Sequence, residues 1–344
     1  MAYTTISKHT DHFNTKLYTG NGSNGHSITG VGFQPDMVWI KERNGTNNHE
    51  INDVVRGVNY QIYPNLSNGQ TNAGYHLTAF GADGFTVGSD GALNTNNNTY
   101  ASWNWKAGNS AGSTNNNGTI ATTVSVNTTA GFSIVKWTGT GSTGTLGHGL
   151  GAIPDMIWVK KTSEADSWFI WHEGLGSQGK LNFNNNSAVQ NDTGYWNNTL
   201  PTNQVFSVTS NGANNATGQV YIAYCFTRKI GYSRFGSYTG NGTSSDGTFV
   251  YTGFKPSFVL GKVTNTTGDW YLWDNKRLGY NRDNNKLMPS DAAAETTQDW
   301  FDIYSNGFKF YNNSGDFNYN NYNFIYMAIG QSLVGSNKIP CTAR

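Results

Sequence analysis

The chain has 344 residues, a formal net charge of +1 and a charged fraction of only 12 %, so it lacks the basic excess of a nucleic-acid binder. Its 14 % aromatic content excludes a disordered chain, and no run approaches the roughly 20 apolar residues of a membrane helix. Gly- and Asn-rich turns around short β-branched and aromatic runs point to an all-β fold.

Residues 1–12 form a polar arm with no apolar segment of the signal-peptide kind. Such an arm either docks or hangs free. From there one pattern occurs three times. Each copy opens on an aromatic residue and a glycine turn: Tyr18-Thr19-Gly20-Asn21-Gly22, Trp137-Thr138-Gly139-Thr140-Gly141 and Tyr238-Thr239-Gly240-Asn241-Gly242. Asn-Gly supplies the positive φ of tight turns. A proline motif follows 17, 17 and 18 residues later (35−18, 154−137, 256−238). It reads Pro35-Asp36-Met37-Val38-Trp39-Ile40-Lys41, then Pro154 to Lys160, then Pro256 to Lys262. Proline suits a strand's first residue, and the unbroken apolar run suits a strand covered on both faces. The closing lysine is expected to return the chain to water.

Eight residues after the lysine the second copy has Trp168-Phe169-Ile170-Trp171-His172-Glu173 and the third Trp270-Tyr271-Leu272-Trp273-Asp274-Asn275. The first has the far more polar His49-Glu50-Ile51-Asn52-Asp53. Two further figures recur. One is Phe85-Thr86-Val87, Phe206-Ser207-Val208 and Phe308-Lys309-Phe310; the other is a closing strand with Ser102, Ala223 or Ala328 at its third place. The expected organisation is an arm 1–12, a first repeat 13–108, a flexible Gly/Ser/Asn-rich linker 109–128, repeats 129–230 and 231–330, and a tail 331–344. Each repeat is expected to be an antiparallel β-sandwich of jelly-roll or lectin-like type. Only Ser290 to Glu295 reads as a helical turn, with Ser290 as its cap.

Chemistry is sparse. Cys225 reads as a small buried hydrophobe, and no disulfide to Cys341 is expected. His9 and His12 are the only close histidine pair, too little for a zinc site. No Gly-x-Ser-x-Gly elbow or Walker loop occurs. Glu164, Asp166, Glu173, Asp269, Asp274 and Asp283 are the acids a glycosidase pair would draw on, and they read as solvated loop charges. Asp274, Asp283 and Asn284 also have oxygen-ligand character for calcium, without an Asp-x-Asp-x-Asp-Gly loop. No metal, cofactor or catalytic residue is therefore assigned. The paired tryptophans read as core aromatics or as sugar-stacking platforms. Strand positions i and i+3 point to opposite faces, so only one of each pair can serve a given surface.

The combination of Tyr18-Thr19-Gly20-Asn21-Gly22, Val31-Gly32-Phe33-Gln34-Pro35-Asp36, Thr129 to Val135, Gly147-His148-Gly149-Leu150-Gly151, Tyr221 to Phe226, Gly236 to Gly242 and Tyr251 to Pro256 resembles a family of repeat-bearing structural proteins of tailed bacteriophages. These are filed as tail fibre or minor virion proteins. The resemblance covers nearly the whole chain. It implies β-sandwich repeats on a virion assembled in the host cytoplasm and supplies no catalytic residues. The expected function is a tail fibre component binding host-surface glycan. The alternatives are a head-decoration or vertex-fibre protein binding other virion subunits, and a polysaccharide depolymerase. A homo-oligomer in the particle is expected, with neither nucleic acid nor membrane insertion. Candidate contact residues are Trp171, Trp273, Asp274 and the loop aromatics Tyr311, Phe317, Tyr319 and Tyr322, because that loop is three residues longer than its counterparts (18 against 15) and tyrosine with Asn and Gly makes an adaptable surface.

Overall fold

The computed structural model describes residues 4–277, 281, 284–332 and 334. It is nearly all β, with antiparallel strand pairings throughout its named sheets and a few single-turn helices. Three sheets share one strand order, in which the closing strand lies between the opening strand and the proline strand. The first is Phe13–Thr19, Thr99–Trp105, Met37–Glu42, Glu50–Asp53; the third is Ser233–Thr239, Asn323–Ser332, Phe254–Val263, Trp270–Asp274. The second is Phe132–Thr138, Val220–Phe226, Met156–Lys161, Phe169–His172. A smaller sheet covers one face of each, and side chains of both sheets meet in a core of their own, such as Ile28, Val38, Ile40, Phe85 and Tyr100 in the first copy.

The other faces meet one another. Trp39, Trp103, Trp105, Trp158, Trp168 and Trp270, none more than 1 % exposed, belong to a single central cluster drawn from all three copies. Ring pairs link every two copies: Trp39 with Trp158 at 5.9 Å, Trp105 with Phe258 at 5.6 Å and Phe183 with Trp270 at 4.8 Å. This is why the proline strands are apolar without alternation. Met37 and Trp39 serve the central core while Val38 and Ile40 serve the local one. The paired tryptophans divide as strand geometry demands, with Trp168 and Trp270 central and Trp171 and Trp273 local.

The copies close into a ring. The backbone N–H of Gln70 donates to the carbonyl of Thr162 (2.7 Å), Val189 to Thr264 (2.8 Å) and Glu295 to Arg43 (2.8 Å). These are first to second, second to third and third back to first, at matching positions. Trp168 Nε1 donates to Tyr63 O and Trp270 Nε1 to Asn182 O (2.8 and 2.7 Å), each reaching into the preceding copy. In the first copy His49 takes that place beside the Met288 backbone, which is why its strand begins on a polar residue.

Several sequence expectations change. The three lysines do not return to water: Lys41, Lys160 and Lys262 are at most 1 % exposed. Lys160 Nζ donates to the carbonyls of Ser67, Lys161 and Asp166 (3.2, 2.7 and 2.9 Å), and Lys262 to those of Asn186 and Val263 (3.4 and 3.0 Å). Burial lowers each of the three amines to about 8. Each amine donates to the carbonyl of the next residue and to loop carbonyls nearby, so buried backbone acceptors find partners. Pro35 and Pro154 precede their strands, but Pro256 lies within Phe254–Val263 at a register shift, where proline is tolerated. Residues 109–128 are not a flexible connection. Ser113–Asn115 and Thr122–Asn127 pair with each other and extend the second sheet to six strands. Asp36 fixes their approach by accepting from the N–H groups of Ala107 and Asn109 (2.6 and 2.9 Å). Residues 290–295 are not helical: Ser290 Oγ donates to Asp269 (3.0 Å), Asp291 N–H closes a turn on the Met288 carbonyl (2.9 Å), and Glu295 N–H then reaches Arg43. The arm docks within the chain. Ile6 enters the central core, and His9 N–H donates to Gln331 Oε1 (3.1 Å). Asp283, Cys341 and most of the tail lie outside the described residues.

Three fully buried histidines share one arrangement. Nδ1 of His49, His148 and His172 accepts from Trp39 Nε1, Leu150 N and Gly174 N at 3.0, 3.2 and 3.1 Å. The proton therefore sits on Nε2 and the rings are neutral. Burial lowers His148 and His172 to about 4 and His49 well below its ordinary value. Between pH 6.5 and about 4 the unfolded chain binds protons that the folded chain does not, so stability falls as pH falls through that window. His148 and His172 are each expected to contribute on the order of 2–3 kcal/mol of this loss, and His49 adds to it in the same direction. Thermal melts from pH 7 to 4.5 should show the fall, and His172→Gln should flatten it; a His172→Gln profile parallel to wild type would remove His172 as a cause.

Candidate binding surface

The recurring glycine turns are fastened from inside. A Cβ on Gly20, Gly139 or Gly240 would lie 2.1–2.3 Å from the carbonyl oxygen of Thr95, Ala216 or Tyr319, so only glycine fits. A buried asparagine holds each turn. Asn94 Nδ2 donates to Ser23 O (2.8 Å), Asn215 Nδ2 to Ser142 O (2.6 Å) and Asn318 Nδ2 to Thr243 O (3.1 Å). The long loop 311–322 therefore has a structural task. It delivers Asn318 to the turn and Phe317 to the local core, where Phe317 is 2 % exposed and lies 4.3 Å from Tyr271 and 4.9 Å from Trp273.

The candidate contact residues thus separate. Trp171, Trp273, Phe317 and Asp274 are at most 3 % exposed. Trp171 Nε1 donates to Gly176 O (2.8 Å), and Trp273 stacks on Phe301 at 4.7 Å. Asp274 accepts from Arg277 Nε (2.7 Å) and from Trp103 Nε1 of the first copy (3.0 Å). Burial raises its carboxyl, but the Arg277 guanidinium and the Lys276 and Arg277 N–H groups win and hold it below the ordinary range. Its role is to join copies, as Asp53 does when it accepts from Tyr224 (2.7 Å). Tyr319 is 49 % exposed, with Tyr322 against it at 4.7 Å. Tyr311 is half-buried and shares a hydroxyl contact with Tyr304.

That contact leads to a surface the sequence reading missed. In the third copy the outer sheet is Phe249–Tyr251, Gly307–Phe310, Phe301–Tyr304. Its outward face carries Phe249 and Tyr251, 43 % and 51 % exposed, with Tyr304 edge-on to Phe249 at 5.9 Å. Gly307 pairs with both Tyr251 and Tyr304, and the Phe249 ring fills the space a side chain there would take. Arg234 lies over Tyr251 at 5.9 Å, and an open pocket of Arg228, Ile230, Arg234 and Tyr251 continues the patch. Register identifies the counterparts. Phe249 pairs with the residue after Phe308, as Ser27 does with the residue after Phe85 and Thr145 with the residue after Phe206. Two copies thus present a small hydroxyl side chain where the third presents Phe249, and Thr29 and Gly147 where it presents Tyr251. The signal in the sequence was Phe249-Val250-Tyr251, in which both faces of one strand are apolar.

Of the candidate acids, Glu164 pairs with Lys161 (3.0 Å) and Glu173 with Arg228, which also holds Asp155, while Asp269 accepts from Ser290 Oγ (3.0 Å). His9 and His12 face different partners, Gln331 and Asn127. A separate group lies inside the first copy. Glu50, His76 and Asp90 bring their donor atoms within 4.8 Å of one another. Burial, and then the Asp90 charge, push the Glu50 carboxyl well up.

Three matched sheet units around one core, with an aromatic outer face on one of them, define a class: a nearly all-β body of repeated antiparallel sheets. The chain belongs to the family described as Domain of unknown function (DUF7483), whose profile matches residues 8–332. That single match spans all three copies. No match was found among curated proteins or among solved structures.

Proposed function

We propose that this chain is a structural protein displayed on a bacteriophage particle, built of three jelly-roll or lectin-like β-sandwich repeats. In this reading it is a tail fibre component that binds host-surface glycan through the outer face of its third copy. The observation that carries the reading is the exposed pair Phe249 and Tyr251 with half-buried Tyr304 beside them, on a face where the counterparts of Phe249 are Ser27 and Thr145 and those of Tyr251 are Thr29 and Gly147. Aromatic rings offer a flat apolar face with polar edges, which suits the C–H face of a pyranose. The Lys309–Asp246 ion pair lies beside Phe249 in the register and gives that face a polar edge.

A second reading, attachment to other virion subunits, draws on the ring closure. Three equivalent seams give the chain an approximate three-fold arrangement, which matches a three-fold partner in a capsid or tail. Phe249→Ala with Tyr251→Ala separates the two. Both side chains are exposed, so the melting temperature should hold within a degree or two. Binding to host polysaccharide should fall at least tenfold while incorporation into particles is unchanged. Retained glycan binding with lost incorporation would replace the first reading by the second. A reducing-end assay on the same mixtures would expose a depolymerase.

A further inference from the structure

We infer that Glu50, His76 and Asp90 form a binding site for one divalent transition-metal cation of the Zn²⁺ class, confined to the first copy. The donors come from distant parts of the chain. Glu50 lies on the strand Glu50–Asp53, His76 precedes the strand Leu77–Gly81, and Asp90 caps the helix Gly91–Asn94. Their ligand atoms all lie within 4.8 Å of one another. His76 Nδ1 is 2.8 Å from Asp90 Oδ2. Asp90 keeps its other oxygen on the Ala92 N–H at 2.7 Å, which fixes the carboxylate in place. Glu50 is 2 % exposed, and its Oε2 has no hydrogen-bond partner among the described residues. An orphaned buried carboxylate oxygen costs free energy unless something neutralises it, and here it lies near a second carboxylate and an imidazole. Tetrahedral zinc with bonds of 2.0–2.2 Å needs donors about 3.4 Å apart. The widest pair must therefore close by roughly an ångström, within reach of a side-chain adjustment.

The other copies act as internal controls. Nine residues after the buried lysine stand Glu50, Phe169 and Tyr271 (50−41, 169−160, 271−262). Five residues after the recurring phenylalanine stand Asp90, Asn211 and Asn313 (90−85, 211−206, 313−308). The residue before Ile62, Leu181 or Leu287 is Gln61, Lys180 or Lys286. In the second and third copies that lysine lies over the aromatic, Lys180 4.0 Å from Tyr195 and 5.2 Å from Phe169, and Lys286 4.6 Å from Tyr271. A cation thus already occupies this niche in two copies as a lysine ammonium. In the first copy the lysine is absent, and two carboxylates and an imidazole stand there instead. One nitrogen and two oxygen donors favour zinc or manganese over magnesium, which prefers all-oxygen octahedra.

The test uses the full chain, stripped with chelator and titrated with Zn²⁺ by calorimetry, with melting followed in parallel. One saturable Zn²⁺ per chain and a rise in melting temperature are expected, while millimolar Mg²⁺ leaves the melting temperature unchanged. Asp90→Asn retains the cap, as Asn211 does on Ala213, and should weaken Zn²⁺ at least tenfold. Glu50→Gln, nearly isosteric, should do the same. Absence of a saturable site in the wild type, or Zn²⁺ binding as tight in Asp90→Asn as in the wild type, would overturn the assignment.

Discussion

Trp158→Ala is expected to lower stability by about 3–5 kcal/mol and to weaken all three copies at once. Trp158 is wholly buried, with Phe226 at 4.6 Å and Phe183 at 5.0 Å from its own copy, and Trp39 at 5.9 Å and Trp105 at 6.5 Å from the first. Removing the indole opens a cavity that rigid sheet backbones on several sides cannot fill. For a chain of this length the loss corresponds to a melting shift of about 4–7 °C. Because the central core is common property, calorimetry should show one cooperative transition in both wild type and variant. Trp158→Phe should cost markedly less, since Trp158 Nε1 has no acceptor among the described residues and its removal relieves an unpaired donor. An unshifted Trp158→Ala, or a second transition that the substitution leaves in place, would mean that the copies are energetically independent.

The sequence made the all-β character and the threefold pattern legible because both rest on local chemistry: turns that demand glycine, and strands that demand apolar residues. Trp39, Trp158 and Phe258 were readable as core for the same reason, and all are fully buried. What stayed hidden involves partners from another copy or from the backbone. Lysine after an apolar run reads as a return to solvent, yet Lys160 and Lys262 are spent on carbonyls, some of them in the preceding copy. Residues 109–128 have the composition of a linker, but their hydroxyls and amides also suit an edge strand, and an available sheet edge at Phe132–Thr138 decided the matter. Tyr311 to Tyr322 looked like a binding loop because of its rings. Asn318, the residue that gives the loop its shape, resembled every other asparagine in an Asn-rich chain. Glu50, His76 and Asp90 are separated by 26 and 14 positions, and only the polar first residues of one strand hinted that its surroundings differed.

The ring has three seams, and only two of them are bridged by consecutive chain. Residues 106–131 join the first copy to the second, and residues 227–232 join the second to the third. The seam between third and first has no such link, and it carries bonds the others lack. Glu295, besides its backbone bond to Arg43 O, accepts from Arg43 Nε and NH2 (3.0 and 2.8 Å) and from Arg277 NH1 (3.1 Å). At the matching positions of the linked seams stand Gln70 and Val189, neither of which has a comparable ion pair. The Glu295 side chain is 8 % exposed and that of Arg277 1 %. Burial raises the Glu295 carboxyl, but hydrogen bonding and charge from Arg43 and Arg277 outweigh it and bring the carboxyl below its ordinary range. Glu295→Ala therefore leaves the partly buried Arg43 without its acid and takes one of two acids from buried Arg277, which keeps Asp274, and is expected to cost about 3 kcal/mol. Val189→Ala, at a seam held by the chain itself, should cost no more than about 1–2 kcal/mol. Combining Glu295→Ala with Arg43→Ala should cost less than the sum of the single changes, because the two share one bond set. Hydrogen exchange should locate the damage, with faster exchange at the Glu295 and Leu287 amides and little change at Gln70. Equal losses from Glu295→Ala and Val189→Ala would show that the unlinked seam needs no ion pair to stay shut.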